Sequence, residues 1–266
     1  MSNSTKGADW VAPDCAGMNF YAVDRGLQSG IAAYLPADLR AVVEPQMDRL
    51  GALGGGRLDE LSRIADRHPP VLHPRDAAGR DLETIEHHPA YREMEQLAYG
   101  EFSMHRMCHV EGVFGWPEAM PPLVRYIFQY LFVQGEFGLI CPVSMADTGL
   151  TLMRNQASDE LKERYLPRML SNDMDELWRC AQFLTEQGAG SDVGNIEVMA
   201  RAEGDHWLID GDKWFCSNAD AEVILLLART EGAVAGSRGL SMFLVPRELD
   251  DGNRNHYRIV RLKDKS

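Results

Sequence analysis

The sequence predicts an α+β fold, with an N-terminal helical region followed by a partial β-barrel. Between residues 37 and 171, apolar side chains recur at three- and four-residue steps, the spacing of one face of an α-helix. From Ala181 onward the apolar runs become short and extended, and Gly-Asp turns separate them. The change falls near Trp178 and is the one boundary predicted, dividing a helical domain over 19–178 from a β domain over 179–266.

Residues 1–18 are rich in Ser, Asn, Gly and Asp without apolar periodicity, and are expected to form a flexible arm. Helices are predicted over 37–50 and 58–66, broken by the glycines between 51 and 56. The run His68-Pro69-Pro70-Val71-Leu72-His73-Pro74 cannot be helical, because proline lacks an amide donor and pushes the residue before it into extended conformations. It is expected to be a surface connector. Pro89 suits a helix start, and helical spacing continues over 91–107. Further helices are predicted over 121–137, over 145–153 after Cys141-Pro142, and from a cap at Ser158-Asp159-Glu160 to about residue 171. Strands are predicted over 197–202, 206–209 and 223–227. No repeat or low-complexity tract interrupts this order.

Composition narrows the function classes. The 266 residues are 45% hydrophobic and 25% charged, ordinary for a globular protein of one or two domains. The 27 basic residues are outnumbered by 40 acidic ones, for a net charge of −13, which argues against direct nucleic-acid binding by this portion. Cys15, Cys108, Cys141, Cys180 and Cys216 form no CxxC pair or metal-ligand spacing and read as thiols of a reducing, cytoplasmic compartment. No apolar run approaches the roughly 20 residues of a membrane helix.

Two segments carry chemistry. In Phe183-Leu184-Thr185-Glu186-Gln187-Gly188-Ala189-Gly190-Ser191-Asp192-Val193, an apolar strand ends in a hydroxyl and runs into small residues that permit close backbone approach. Ser191 and Asp192 add side-chain oxygens just beyond. In Gly211-Asp212-Lys213-Trp214-Phe215-Cys216-Ser217-Asn218, aromatic rings and a hydroxyl occupy what reads as a neighbouring strand and turn. On a strand, Trp214 and Phe215 would point to opposite faces.

Taken together, these segments resemble the signature of the acyl-CoA dehydrogenase family in order and spacing. Gly239-Leu240-Ser241-Met242-Phe243-Leu244-Val245-Pro246 and Arg261-Leu262-Lys263-Asp264-Lys265 sit where that family has its next strands. Leu139 to Met145, His68-Pro69-Pro70 and Asp76 to Arg80 resemble its AidB-like branch, which includes flavoproteins of the bacterial response to DNA alkylation.

The resemblance implies FAD as cofactor, held by Leu184, Thr185, Gly190, Ser191, Phe215 and Ser217, with Ser191 also near the bound thioester. It implies α,β-desaturation of an acyl-CoA substrate, an electron-transfer acceptor and a homo-oligomer in the full-length form. Thr-Glu-x-x-Ala-Gly-Ser-Asp is kept, whereas Phe183 and Asn195 stand where small residues are usual and Phe215 where tryptophan is common. The family's base is a glutamate of a third, helical domain. No catalytic residue is therefore assigned within 266 residues, and the sequence is expected to be a truncated, catalytically poor portion. A DNA-associated AidB-like role and a non-catalytic partner subunit are the alternatives.

Other chemistry-bearing residues have plainer readings. Glu186 matches a structural position of the motif rather than the base. Cys216 lacks a neighbouring His or Lys evident as a thiolate-stabilising partner and is expected to pack in the core. The pairs His87/His88 and His105/His109 are expected in solvated or packing roles, the second lacking the glutamate of an HExxH site.

Overall fold

The computed structural model describes residues 12–263. Its helical part comprises α1 (Phe20–Val23), α2 (Arg25–Tyr34), α3 (Ala37–Gly54), α4 (Arg57–Asp66), α5 (Pro89–Glu95), α6 (Pro122–Val133), α7 (Ile140–Gln156) and α8 (Asp159–Met169). Local chemistry sets several of these ends. Asn19 caps α1 by accepting from the Tyr21 and Ala22 amides, and the Ser158 hydroxyl accepts from Leu161 N at the start of α8. Residues 1–11 of the expected arm lie outside the described residues. Residues 12–18 form no helix or strand, but Gly17 N donates to Gly55 O at 2.6 Å, tying the arm's end to the α3–α4 junction.

Two expectations for the helical part are corrected. The proline-rich connector is a strand: β1 (Val71–Arg75) pairs antiparallel with β2 (Asp81–Glu86), with an irregularity between His73 and Arg75 that accommodates Pro74 and its missing donor. Its turn is closed by Asp76, whose Oδ1 accepts from Ala78 N at 2.9 Å and Arg80 N at 3.0 Å. The helix expected over 91–107 is α-helical only to Glu95, widens into a π-helix over Gln96–Glu101, and ends at Ser103, whose φ is 48°. His105 and His109 therefore stand on turns rather than on one helix face.

Beyond Leu177 the strands β3 (Cys180–Phe183), β4 (Met199–Glu203), β5 (His206–Asp210), β6 (Val223–Thr230) and β7 (Leu240–Pro246) form one mixed sheet. β6 is its organiser. It runs parallel to β3, with Cys180 opposite Val223, touches β4 in parallel at Met199 and Ala200, and pairs antiparallel with β7 along its length. β6 is buried over its first three residues, so it reads as a continuous apolar run rather than an alternation.

Helices and sheet share one core. Cys180, Val223 and Leu225 belong to the same buried cluster as Leu50, Phe102, Phe128, Leu150 and Met169. Close approach makes this possible: a Cβ at Gly149 on α7 would stand 2.5 Å from Cys180 Sγ and 3.3 Å from Cys180 Cβ. The strand that leads into the first motif is thus pinned to the helical part.

Candidate flavin site

β3 ends at Phe183, and Leu184 and Thr185 carry the chain out of the sheet. Glu186 and Ala189 then exchange backbone hydrogen bonds, each 3.1 Å, closing a tight turn over Glu186-Gln187-Gly188-Ala189. A Cβ on Gly188 or Gly190 would meet nothing within 4 Å, and neither residue has a left-handed φ. Neither crowding nor backbone geometry demands glycine there; what the two positions leave is open space beside the loop.

The 211–218 segment is a loop, correcting the expected strand. Gly211, Phe215 and Asn218 have φ of 133°, 57° and 57°, values no strand tolerates, and a left-handed conformation is a genuine outlier for a ring as bulky as Phe215. The opposite pointing of Trp214 and Phe215 fails with it: their rings meet edge to face at 5.8 Å. Trp214 is half-buried and Phe215 is 61% exposed. Lys263 Nζ lies 4.3 Å from the Phe215 ring centre, and the Arg261 guanidinium 5.5 Å from that of Trp214. Residues 258–263 form no strand, and Asp264 and Lys265 lie outside the described residues.

Three bonds bring the segments together. Trp214 N donates to Thr185 O at 2.8 Å, and Lys213 Nζ donates to Leu184 O at 3.0 Å and to Glu186 Oε1 at 2.7 Å. The Glu186 carboxylate also accepts from Glu197 N at 2.5 Å and Val198 N at 3.1 Å. Burial alone would raise its pKa, but Lys213 and the two amides outweigh burial and hold the carboxyl below its usual range. Thr185 and Ser217 are half-buried, and neither hydroxyl makes a hydrogen bond to another described residue. That excludes local backbone satisfaction, the ordinary fate of such hydroxyls.

Ser191 and Gly190 are exposed on the adjoining loop. Asp192 braces that loop by accepting from Asn195 Nδ2 at 2.6 Å, and Arg229 ties it to the β6–β7 connection, donating to Gly194 O at 2.7 Å and to Val234 O at 2.6 Å. Sequence reasoning missed Lys213 and Arg229. A buried glutamate inside a motif requires a cation, and Lys213 in the second quoted segment was the available signal.

Open space at two glycines, hydroxyls that bond to no other described residue and flanking aromatic rings are what a flat polar ring system needs, so the residues fit a flavin. Cys216 is half-buried against Ala181, Phe183, Ala221 and Ile224; burial pushes its thiol up to about 11 although Lys213 pulls it down. His87, His88, His105 and His109 are engaged by the protein or buried in it. His87 stacks on Tyr91 at 4.3 Å, His88 caps α5 through Ala90 N, His105 is fully buried, and His109 meets Asp147 at 3.1 Å. Among the described residues no three His, Cys, Asp or Glu side chains gather as a metal site, and no helix is long and apolar enough to cross a membrane.

Comparison with known proteins gives the family of the chain. The adaptive response protein AidB N-terminal domain matches residues 11–176, and the acyl-CoA dehydrogenase middle domain matches residues 181–260. Acyl-CoA dehydrogenase family member 11 of Caenorhabditis elegans is 30% identical over 93% of this chain and 41% of its own length. The putative acyl-CoA dehydrogenase AidB of Escherichia coli K12 is 34% identical over 80% of this chain and 39% of its own. The crystal structure of C. elegans ACDH-11 in complex with C11-CoA superposes with a TM-score of 0.78 at 28% identity, covering 100% of this chain and 45% of that one. The chain thus spans well under two thirds of these relatives. It belongs to the acyl-CoA dehydrogenase family, in the branch that carries the AidB N-terminal domain.

Proposed function

We propose that these residues are the helical and sheet portion of an FAD-dependent acyl-CoA dehydrogenase that desaturates an acyl-CoA thioester between its α and β carbons. The observation that carries the reading is the pair of half-buried hydroxyls, Thr185 and Ser217, which bond to no other described residue, on two segments that Lys213 and Trp214 tie together. The flavin, when bound, supplies the hydride acceptor. Thr185 and Ser217 offer hydrogen bonds to its polar edge, Leu184 and Gly190 offer backbone groups, and Phe215 flanks the ring. Ser191, exposed on the adjoining loop, would face the thioester in this reading.

An acyl-CoA substrate is supported by the C11-CoA complex of the C. elegans neighbour. No residue of this chain is assigned as the base. A homo-oligomer, an electron-transfer acceptor and a cytoplasmic location belong to the same reading, the last supported by five free cysteines. The test is the visible spectrum of the protein expressed from its full coding sequence, loaded with FAD and desalted. Retained flavin absorption near about 370 and 450 nm supports the reading; a colourless protein overturns it.

The AidB-type match over residues 11–176 favours a second reading, an alkylation-response flavoprotein associated with DNA. The net charge of −13 opposes DNA affinity within this portion. A duplex-binding titration across salt concentrations decides: binding that weakens steeply with salt supports this reading, and no binding at low salt removes it.

A further inference from the structure

We propose that Lys213 and Glu186 are a positioning pair that holds the two cofactor-facing segments in register. The inference rests on the flavin reading above and deepens it. Both side chains are nearly inaccessible, 5% exposed for Lys213 and 8% for Glu186, with nitrogen and oxygen 2.7 Å apart. Burying two charges costs several kcal/mol each, about as much as their attraction returns, so such a pair is a poor stabiliser and its value lies in the geometry it imposes.

That geometry is specific. Leu184, Thr185 and Glu186 are consecutive, and each is bonded to residue 213 or 214: Leu184 O and the Glu186 carboxylate accept from Lys213 Nζ, and Thr185 O accepts from Trp214 N. Thr185 is therefore fixed through its own carbonyl and on both flanks, while its hydroxyl makes no bond to a described residue. On the other segment, Lys213 anchors the entry of a loop that holds Phe215 and Asn218 at φ of 57°. Such conformations are strained and persist only where surrounding bonds over-determine them. Asn218 holds the exit, donating to Cys180 O at 3.4 Å. Ser217 lies between those two anchors. Glu186 reaches a third element by accepting from the amides of Glu197 and Val198, just before β4. One carboxylate thus joins the Thr185 segment, the Ser217 loop and the start of β4.

A merely structural pair would alter stability and leave cofactor affinity alone, so the two must be measured separately. In full-length protein, the double variant Lys213→Met/Glu186→Gln removes both charges without leaving either one buried alone. The apo melting temperature is expected within a few degrees of wild type, the Kd for FAD is expected to rise about 10- to 100-fold, and the midpoint potential of bound flavin is expected to shift. Glu186→Asp keeps the charge and withdraws the carboxylate by one methylene. It is expected to fold and to bind FAD about 3- to 10-fold more weakly, so it answers the question even if the double variant does not fold. Wild-type affinity and potential in a folded variant overturn the positioning role while leaving the flavin reading intact. Failure of the wild-type protein to bind FAD overturns both.

Discussion

Arg179 and Glu222 are joined at three points: Arg179 N and Nε donate to Glu222 Oε2 at 2.7 and 3.2 Å, and the second guanidinium nitrogen donates to Oε1 at 3.0 Å. Each residue immediately precedes a strand, β3 and β6 respectively, so the pair fastens the entry of two parallel strands, the first of which leads into the first motif. Glu95 Oε1, 3.6 Å away, and Asp220 Oδ2, 3.8 Å away, complete a set of three carboxylates around one cation. Burial works against the charged guanidinium, but the carboxylates outweigh it and keep Arg179 protonated. Arg179→Met leaves Asp220, 4% exposed, without this cation, and leaves Glu95, 1% exposed, with Arg92 at 2.6 Å alone. The expected loss is about 3–5 kcal/mol, read as a lower denaturant midpoint in equilibrium unfolding.

Gly149 sets how closely α7 approaches β3. Gly149→Ala drives a methyl group against the Sγ and Cβ of Cys180, the first residue of that strand. A loss of about 1–3 kcal/mol is expected, with a lower melting temperature. Pairing it with Cys180→Ala, which removes the sulfur, should recover part of the loss; full additivity of the two changes would disprove the contact.

One buried and one half-buried imidazole make stability depend on acid. Burial pushes His105 down to about 3 and His87 down to about 4, from 6.5. Between those values and pH 6.5 the unfolded chain takes up protons that the folded one refuses, so stability falls as pH drops through that window. His105→Gln keeps a donor for Ser171 O, which His105 Nε2 now contacts at 3.0 Å. It should flatten the slope by up to about 1.4 kcal/mol per pH unit. Unfolding at several pH values between 6.5 and 4 checks this; an unchanged slope would show that His105 is not the group concerned.

Phe215 places local strain in the proposed cofactor site. Phe215→Gly relieves the left-handed φ and removes little packing, because the ring is mostly exposed. Apo protein carrying it should melt no lower than wild type while binding FAD more weakly. A variant that loses stability and keeps affinity would place Phe215 in the core instead.

The order of helices followed by sheet was legible because apolar spacing survives any tertiary context, as α3, α4 and the Ser158-capped α8 illustrate. β1 was hidden because prolines at 69, 70 and 74 argue against a strand, and only the irregular pairing at Pro74 permits one. The shift from α to π geometry at Gln96 carries no mark in residue spacing. At the site, the motif residues were visible, but 211–218 read as a strand and turn because aromatic residues favour sheets, and the residue type of Phe215 gives no sign of its left-handed angle. The Glu186–Lys213 bond spans 27 positions, beyond the reach of local pattern.

Thr185 and Ser217 carry the central claim, and FAD titration of Thr185→Val/Ser217→Ala in the full-length protein tests it most directly. The substitutions keep near-native volume and remove hydroxyls that bond to no described residue, so the apo melting temperature should be unchanged. The Kd for FAD should rise about tenfold or more, the scale of two lost hydrogen bonds. A folded double variant with wild-type affinity would contradict the assignment of these hydroxyls to the flavin.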